Sequence, residues 1–254
     1  MAVRQLDIDG MLLPPFKMVS VIGMRSVIEA YHIWAHDLRG GREMMPRRRM
    51  LGAFVASAAG FSLWARARAA ALAPTPPQTA GPFYPLAFPA DADNDLVQIA
   101  GRNGTAKGTV TYLTGRVFGP TGQPVSGARV EIWQCDANGR YHYVHDDRAD
   151  RPLDEDFQGY GQVLTDETGG YRFRTIRPVP YPGRTPHIHF AVSASDLPRF
   201  TTQMYVAGEP LNERDGVLMG VRDAAARARL VVPLRPAPDA EPNALAGTFD
   251  IVLG

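Results

Sequence analysis

The run Val110-Thr111-Tyr112-Leu113-Thr114-Gly115-Arg116-Val117-Phe118, closed by Gly119-Pro120-Thr121-Gly122 and answered by Ala128-Arg129-Val130-Glu131-Ile132-Trp133-Gln134-Cys135, decides the fold. The first part alternates loosely between apolar and polar side chains and ends in a cluster of turn formers, so both runs read as strands. The same signature recurs downstream. Residues 161–165 and 171–176 flank Asp166-Glu167-Thr168-Gly169-Gly170, and further short strands are expected at 188–193, 201–205, 230–234 and 249–253. Regularly spaced short strands with Gly/Pro turns predict an all-β chain, a β-sandwich of short, mainly antiparallel strands with long connecting loops and little helix. Only 221–229 holds enough alanine and arginine to suggest a brief helix. The 22 prolines and 25 glycines imply long ordered connections, and loops on a rigid scaffold are where sites usually lie.

One connection is dense in chemistry: Thr175-Ile176-Arg177-Pro178-Val179-Pro180-Tyr181-Pro182-Gly183-Arg184-Thr185-Pro186-His187-Ile188-His189-Phe190. Side chains alternate faces along a strand, so His187 and His189 point the same way and can chelate one ion. Imidazole suits iron, copper, zinc or nickel, and the pair alone does not name the metal. A phenolate would, because a hard ferric ion favours anionic oxygen and stabilises the deprotonated tyrosine. Tyr181 is one candidate. Tyr141, after the Asp136-Ala137-Asn138-Gly139 turn, is another, and Tyr143 competes with it because residues two apart on a strand share a face. His142 and His145 sit among Asp146, Asp147, Arg148 and Asp150 and read as surface residues. Cys135 reads as a single small buried thiol, and one cysteine permits no intrachain disulfide.

At these residues the chain resembles the intradiol ring-cleavage dioxygenases, non-haem iron(III) enzymes that open catechols between their two hydroxyls. The likeness runs from Gln78-Thr79-Ala80-Gly81-Pro82-Phe83-Tyr84-Pro85 through 131–141 and 161–176 to the histidine pair and Thr202-Gln203-Met204-Tyr205. It looks closer to the protocatechuate type than to the catechol 1,2-dioxygenase type, because nothing matches the long helical dimerisation segment of the latter. The resemblance implies Fe(3+) held by Tyr141, Tyr181, His187 and His189, and it is the resemblance that selects Tyr141 over Tyr143. It also implies that Tyr181 acts as ligand and base in turn. Arg184 would stabilise charge developing on the ring, Gln203 would orient Arg184 or the oxygen species, and residues 81–84 would line the pocket mouth. Substrate and co-substrate would be a catechol-type diol and O2, the product a cis,cis-muconate-type diacid, and the assembly a homo-oligomer.

A rival reading comes from Gly115 to Val130, which resembles the transthyretin and carboxypeptidase-regulatory β-sandwich modules that bind or brace. The tyrosines and the histidine pair favour the enzyme, since a bracing module has no use for four metal-compatible side chains. An exported zinc or copper protein is a third reading.

Charge patterning separates the N-terminal part from the rest. Residues 1–73 hold 10 of the 27 Lys and Arg and 5 of the 26 Asp and Glu, leaving 17 basic and 21 acidic residues in 74–254. That body has one lysine, Lys107, and no basic stripe, which excludes nucleic-acid binding. Pro46-Arg47-Arg48-Arg49-Met50-Leu51 opens an apolar small-residue run, and 65–73 offers A-x-A cleavage options, so 44–73 reads as a twin-arginine signal for export to the periplasm or beyond. The apolar run is about 15 residues, shorter than the roughly 20 a membrane span needs. Residues 1–43 fit neither signal nor body and read as an extension upstream of a start at Met44 or Met45; 74–254 is the expected catalytic domain.

Overall fold

The structure is a computed structural model that describes residues 72–144, 146, 150–195 and 197–254. The expectations for 1–43, for 44–71 and for His145 lie outside the described residues. Strand β1 (Val110–Phe118) alternates as its sequence demands, with Leu113 and Val117 fully buried and Thr114 and Arg116 exposed. It pairs antiparallel with β4 (Gly170–Ile176), from Val110 opposite Ile176 to Arg116 opposite Gly170. Its other edge takes β9 (Leu245–Thr248) and then β10 (Ile251–Val252), both parallel, and β8 (Arg235–Pro236) pairs with β9.

The second sheet has the order β3-β2-β5-β6-β7, built from β3 (Tyr160–Leu164), β2 (Arg129–Trp133), β5 (His187–Ala194), β6 (Leu197–Val206) and β7 (Val231–Val232). Its long ladders are antiparallel, and β6 and β7 run parallel. The sandwich core lies between the sheets. Leu113, Val117 and Phe173 meet Val130, Ile132, Ile188, Phe190, Val192 and Met204 there. The loop expected between 165 and 171 carries the chain from one sheet to the other: the Asp166 carboxylate accepts the Thr168 and Gly170 backbone N–H groups, and Gly169 takes a positive φ of 75°.

Strand β5 is buried on both faces from His187 to Val192. Ile188, Phe190 and Val192 point into the core, so His187, His189 and Ala191 point outward. The outward face is roofed by residues 75–84. Gln78 N–H donates to Thr201 O, Thr201 Oγ1 donates to Gln78 O, and Thr202 Oγ1 donates to Pro76 O. A second apolar cluster of Trp133, Cys135, Tyr141, Tyr160 and Ala191, joined by Phe83, Tyr84 and Tyr181, fills the space under that roof.

The predicted helix at 221–229 contracts to α2 (Ala224–Ala228), capped by Asp223. A second short helix, α1 (Gly216–Met219), follows a 3-10 turn at Pro210–Arg214; α1 and the 3-10 turn are too short to show the periodicity that would mark them in sequence. The strand expected at 230–234 shrinks to β7, and β8 and β9 were not anticipated, because two- to four-residue strands carry too few alternations to read. Among the described residues no helix is long and apolar enough to cross a membrane.

Candidate metal centre

Tyr181-Pro182-Gly183-Arg184 is a tight turn in which Arg184 N–H donates to Tyr181 O at 2.9 Å. Pro182 presets its own φ and Gly183 supplies a positive φ of 82°, the residue choice of a type II turn. The turn sets the Tyr181 and Arg184 side chains beside each other, and Arg184 Nη1 lies 3.5 Å from Tyr181 Oη. Asp136-Ala137-Asn138-Gly139 also closes on itself. Asp136 Oδ1 accepts the Asn138 and Arg140 backbone N–H groups at 2.9 Å each, and Gly139 has a φ of 81°. This turn delivers Tyr141 beneath the roof, where its ring stacks on Phe83 at 4.5 Å and meets Tyr181 edge-on at 5.7 Å.

Four side chains meet here. The His187 and His189 rings lie 4.9 Å apart, Tyr181 Oη is 3.4 Å from His187 Nε2, and the Tyr141 ring is 6.2 Å from His189. Thr185 O sits 2.6 Å from His187 Nδ1, which fixes the tautomer with Nδ1–H donating and leaves Nε2 as a lone-pair donor. Trp133, opposite His189 across the β2–β5 ladder, stacks on its ring at 4.9 Å and 9°.

Four polar atoms in this nest are buried and make no hydrogen bond of ordinary geometry: Tyr141 Oη, His189 Nδ1, His189 Nε2 and Trp133 Nε1. Such atoms are rare in folded proteins and point to a missing ion or water. Burial, reinforced by the Arg184 charge, drives the His187 pKa down to about 4. Burial, the neighbouring His187 and Arg184 hold His189 well below its ordinary value, with the Thr79 backbone pulling weakly the other way. Both imidazoles are therefore neutral at physiological pH, the form a metal requires. Burial raises both phenols, Tyr141 more than Tyr181, and Arg184 opposes the rise at each. Among the described residues no group of three or more His, Cys, Asp or Glu side chains is arranged to hold a metal, so a centre at this place must recruit the tyrosines. Two phenols and two neutral imidazoles suit a hard, highly charged cation.

Arg184 is fixed from several sides. Its Nε donates to Asp215 Oδ2 at 2.8 Å, and its Nη2 donates to Gln203 Oε1 at 2.6 Å and approaches Tyr205 Oη at 3.4 Å. Gln203 sits opposite His189 in the β5–β6 ladder and donates through Nε2 to Thr79 O at 2.9 Å. A cavity of about 140 Å³ opens beside Tyr181, Arg184, Thr185, Leu211 and Arg214.

A family model described as Dioxygenase matches residues 79–254. The chain belongs to the intradiol ring-cleavage dioxygenase family. This dioxygenase is 42% identical over 170 residues to the protocatechuate 3,4-dioxygenase beta chain of Burkholderia cepacia, covering 63% of this chain and 71% of that one. It is 34% identical over 173 residues to the hydroxyquinol 1,2-dioxygenase of Corynebacterium glutamicum, and spans only 55% of that relative's length. Among solved structures, the dioxygenase domain of a carbohydrate-binding fusion protein from Streptomyces sp. SirexAA-E superposes with a TM-score of 0.55 at 32% identity, covering 71% of this chain and 98% of that one. The dioxygenase is accordingly an oxidoreductase for intradiol ring cleavage of catechol-type diols.

In the dioxygenase the sequence-predicted residues Tyr141, Tyr181, His187, His189, Arg184 and Gln203 all converge on one spot. They lie over the outer face of the second sheet rather than at the edge of the sandwich. Phe83, expected at the pocket mouth, is the lid on Tyr141. Two expectations are corrected. Tyr143 is not on a strand; its φ of 61° turns it out of line with Tyr141, and its charged neighbours are Arg102, Asp91 and Glu155 rather than the site. His142 is not a surface residue but buried, with Nε2 3.5 Å from Asp136 Oδ2, because the turn folds back over its own carboxylate. Asp215 and Tyr205 were missed. Tyr205 was legible in principle, two residues from Gln203 on the same strand face; nothing near Asp215 in sequence marks it.

Proposed function

We propose that the dioxygenase binds ferric iron through Tyr141, Tyr181, His187 and His189, and that Arg184 and Gln203 act on the bound diol. The observation that carries the reading is the convergence of buried, unsatisfied donor atoms from Tyr141 and His189 beside a tautomer-locked His187. When bound, ferric iron supplies chelation of the deprotonated diol and withdraws electron density, so that the ring itself meets O2 and no external reductant is needed.

The chain's own groups do the rest. Tyr181 is partly exposed and its Oη lies within reach of both His187 and Arg184, so once deprotonated it is the tyrosine suited to take a proton from a diol hydroxyl; Tyr141 is sealed under Phe83. Arg184 offers a fixed positive charge where the ring gains negative charge, a contribution of about 3 to 4 kcal/mol by analogy with oxyanion donors. Gln203, tied to Thr79, anchors the guanidinium. Trp133 and Phe83 keep water off the ligands. A ring opened between its hydroxyls leaves as a cis,cis-muconate-type diacid.

The test is the visible spectrum of the purified protein before and after anaerobic addition of catechol. A tyrosinate-to-ferric charge-transfer band that shifts with the diol is expected. Protein that stays colourless after iron is supplied would leave a non-catalytic β-sandwich binding module as the better reading. Within this proposal, the mature enzyme is exported by the twin-arginine signal at 44–73 and works as a homo-oligomer. The exposed Leu86, Phe88 and Leu164 support self-association. Terminal sequencing of the secreted protein and light scattering test these two points.

A further inference from the structure

We infer that Asp215 is a positioning residue for ring cleavage, holding the Arg184 guanidinium in the orientation the reaction uses. The inference rests on the role proposed for Arg184. Asp215 is 1% exposed and its two oxygens have separate duties. Oδ1 caps α1, accepting Val217 N–H at 3.0 Å and Leu218 N–H at 2.9 Å. Oδ2 faces the site, accepting Arg184 Nε at 2.8 Å and Thr185 N–H at 3.0 Å.

A helix cap needs only one oxygen, which Ser, Thr or Asn supplies as well as Asp. The second oxygen is what a carboxylate adds. Burying that charge is costly unless it is paired and fully hydrogen-bonded, and here the pairing partner is the arginine of the site. Arg184 on its own has a long, rotatable side chain. Asp215 at Nε and Gln203 at Nη2 together fix the plane of the guanidinium, leaving Nη1 directed at Tyr181 Oη. The Thr185 contact extends the same restraint to the backbone whose carbonyl sets the His187 tautomer. Gln203 alone would hold one corner of the fork and leave it free to pivot.

Asp215→Asn and Asp215→Ser test this in the iron-loaded enzyme, each alone and combined with Arg184→Ala. Both keep a capping oxygen; in Asp215→Asn the amide presents either its oxygen or its NH2 to Arg184 but cannot serve both sides, and in Asp215→Ser the side chain is too short to reach it. The metal-free variants are expected to melt several degrees below wild type, because the buried Arg184 loses its partner, yet to stay folded at the assay temperature. Iron content and the anaerobic dissociation constant for catechol are expected to stay within about twofold of wild type, while kcat falls ~10- to 100-fold, the scale of a misplaced reacting group. That loss should disappear in the Arg184→Ala background, because a residue that acts through another has nothing left to position. Unchanged kcat in both Asp215 variants, or a loss that multiplies with that of Arg184→Ala, would overturn the inference. So would a large drop in melting temperature with loss of iron in Asp215→Ser, which would make Asp215 a structural cap. Unchanged turnover in Arg184→Ala itself would remove the role proposed for Arg184 and this inference with it, whereas slow Arg184→Ala beside normal Asp215 variants would sink the inference alone.

Discussion

His189 carries two buried ring nitrogens that make no hydrogen bond of ordinary geometry, and a buried polar atom left unsatisfied costs about 1–3 kcal/mol. A ligand that accepts an electron pair offsets that cost at one nitrogen, and His189 faces Tyr141 and His187, whereas the less buried His142 has the Asp136 carboxylate 3.5 Å from its Nε2. The same logic separates the two tyrosines that the sequence left in competition. Tyr141→Phe is expected to bleach the protein and abolish ring cleavage, while Tyr143→Phe leaves colour and turnover near wild type; the reverse pattern would place the ligand wrongly. Because burial raises both phenols and lowers both imidazoles, the four residues proposed as ligands would enter as two phenols and two neutral rings. Loading ferric iron should therefore release about two protons per ion, measurable with an indicator in weak buffer, and no release would exclude phenolate ligation. The histidine pair was legible because alternation on a strand is rigid. Local pattern alone left Tyr141 and Tyr143 in competition because one left-handed residue, Tyr143 itself, breaks the assumed alternation, and nothing in its side chain announces the break.

At the scale of elements, the roof over β5 depends on a buried carboxylate. Glu131, 5% exposed on the outward face of β2, accepts the Tyr84 hydroxyl at 2.6 Å, the Tyr160 hydroxyl at 2.8 Å and Arg199 Nη2 at 3.1 Å. Arg199 also lies 4.5 Å over the Tyr84 ring. Tyr84 follows Phe83 directly, so this cluster pins the segment that covers Tyr141. Glu131→Ala leaves two hydroxyls and an arginine without their acceptor and is expected to lower stability by about 3 kcal/mol. It should also open the site, so that chelators strip iron faster. Urea unfolding and a timed chelation assay read the two effects; an unchanged stripping rate would show that the roof is held by other contacts. The strands themselves were legible where alternation ran for five residues or more. Helix α2 and strand β7 fall inside the stretches the sequence marked but are shorter, whereas α1 and the strands β8 and β9 are set by packing against neighbours, which local pattern does not encode.

For the whole molecule, acid stability follows from the carboxylates that tie loops to the sandwich. Asp136 is fully buried. Burial alone would raise its pKa, but the His142 ring and the Arg140, Asp154 and Asn138 N–H groups outweigh it and hold the value below the ordinary 3.8. A carboxyl whose folded pKa is depressed contributes stability that is present above its unfolded pKa and lost as pH falls through the folded one. Asp136→Asn should therefore lower the melting temperature at pH 6, with the gap to wild type narrowing as pH falls below the ordinary carboxyl value of 3.8; a gap that does not narrow with acid would show that the charge is not what matters. The sequence by itself determined the all-β class, the longer strands and the placement of His187 and His189 on one strand face, because each rests on interactions within a few residues. Only the tertiary structure decided that the outward face of β5 is roofed, that a left-handed residue turns Tyr143 away from Tyr141, and that Asp215 reaches Arg184. Those outcomes depend on contacts between segments tens of residues apart, whose energies arise only when both sheets are closed and water has been excluded from between the roof and the strand.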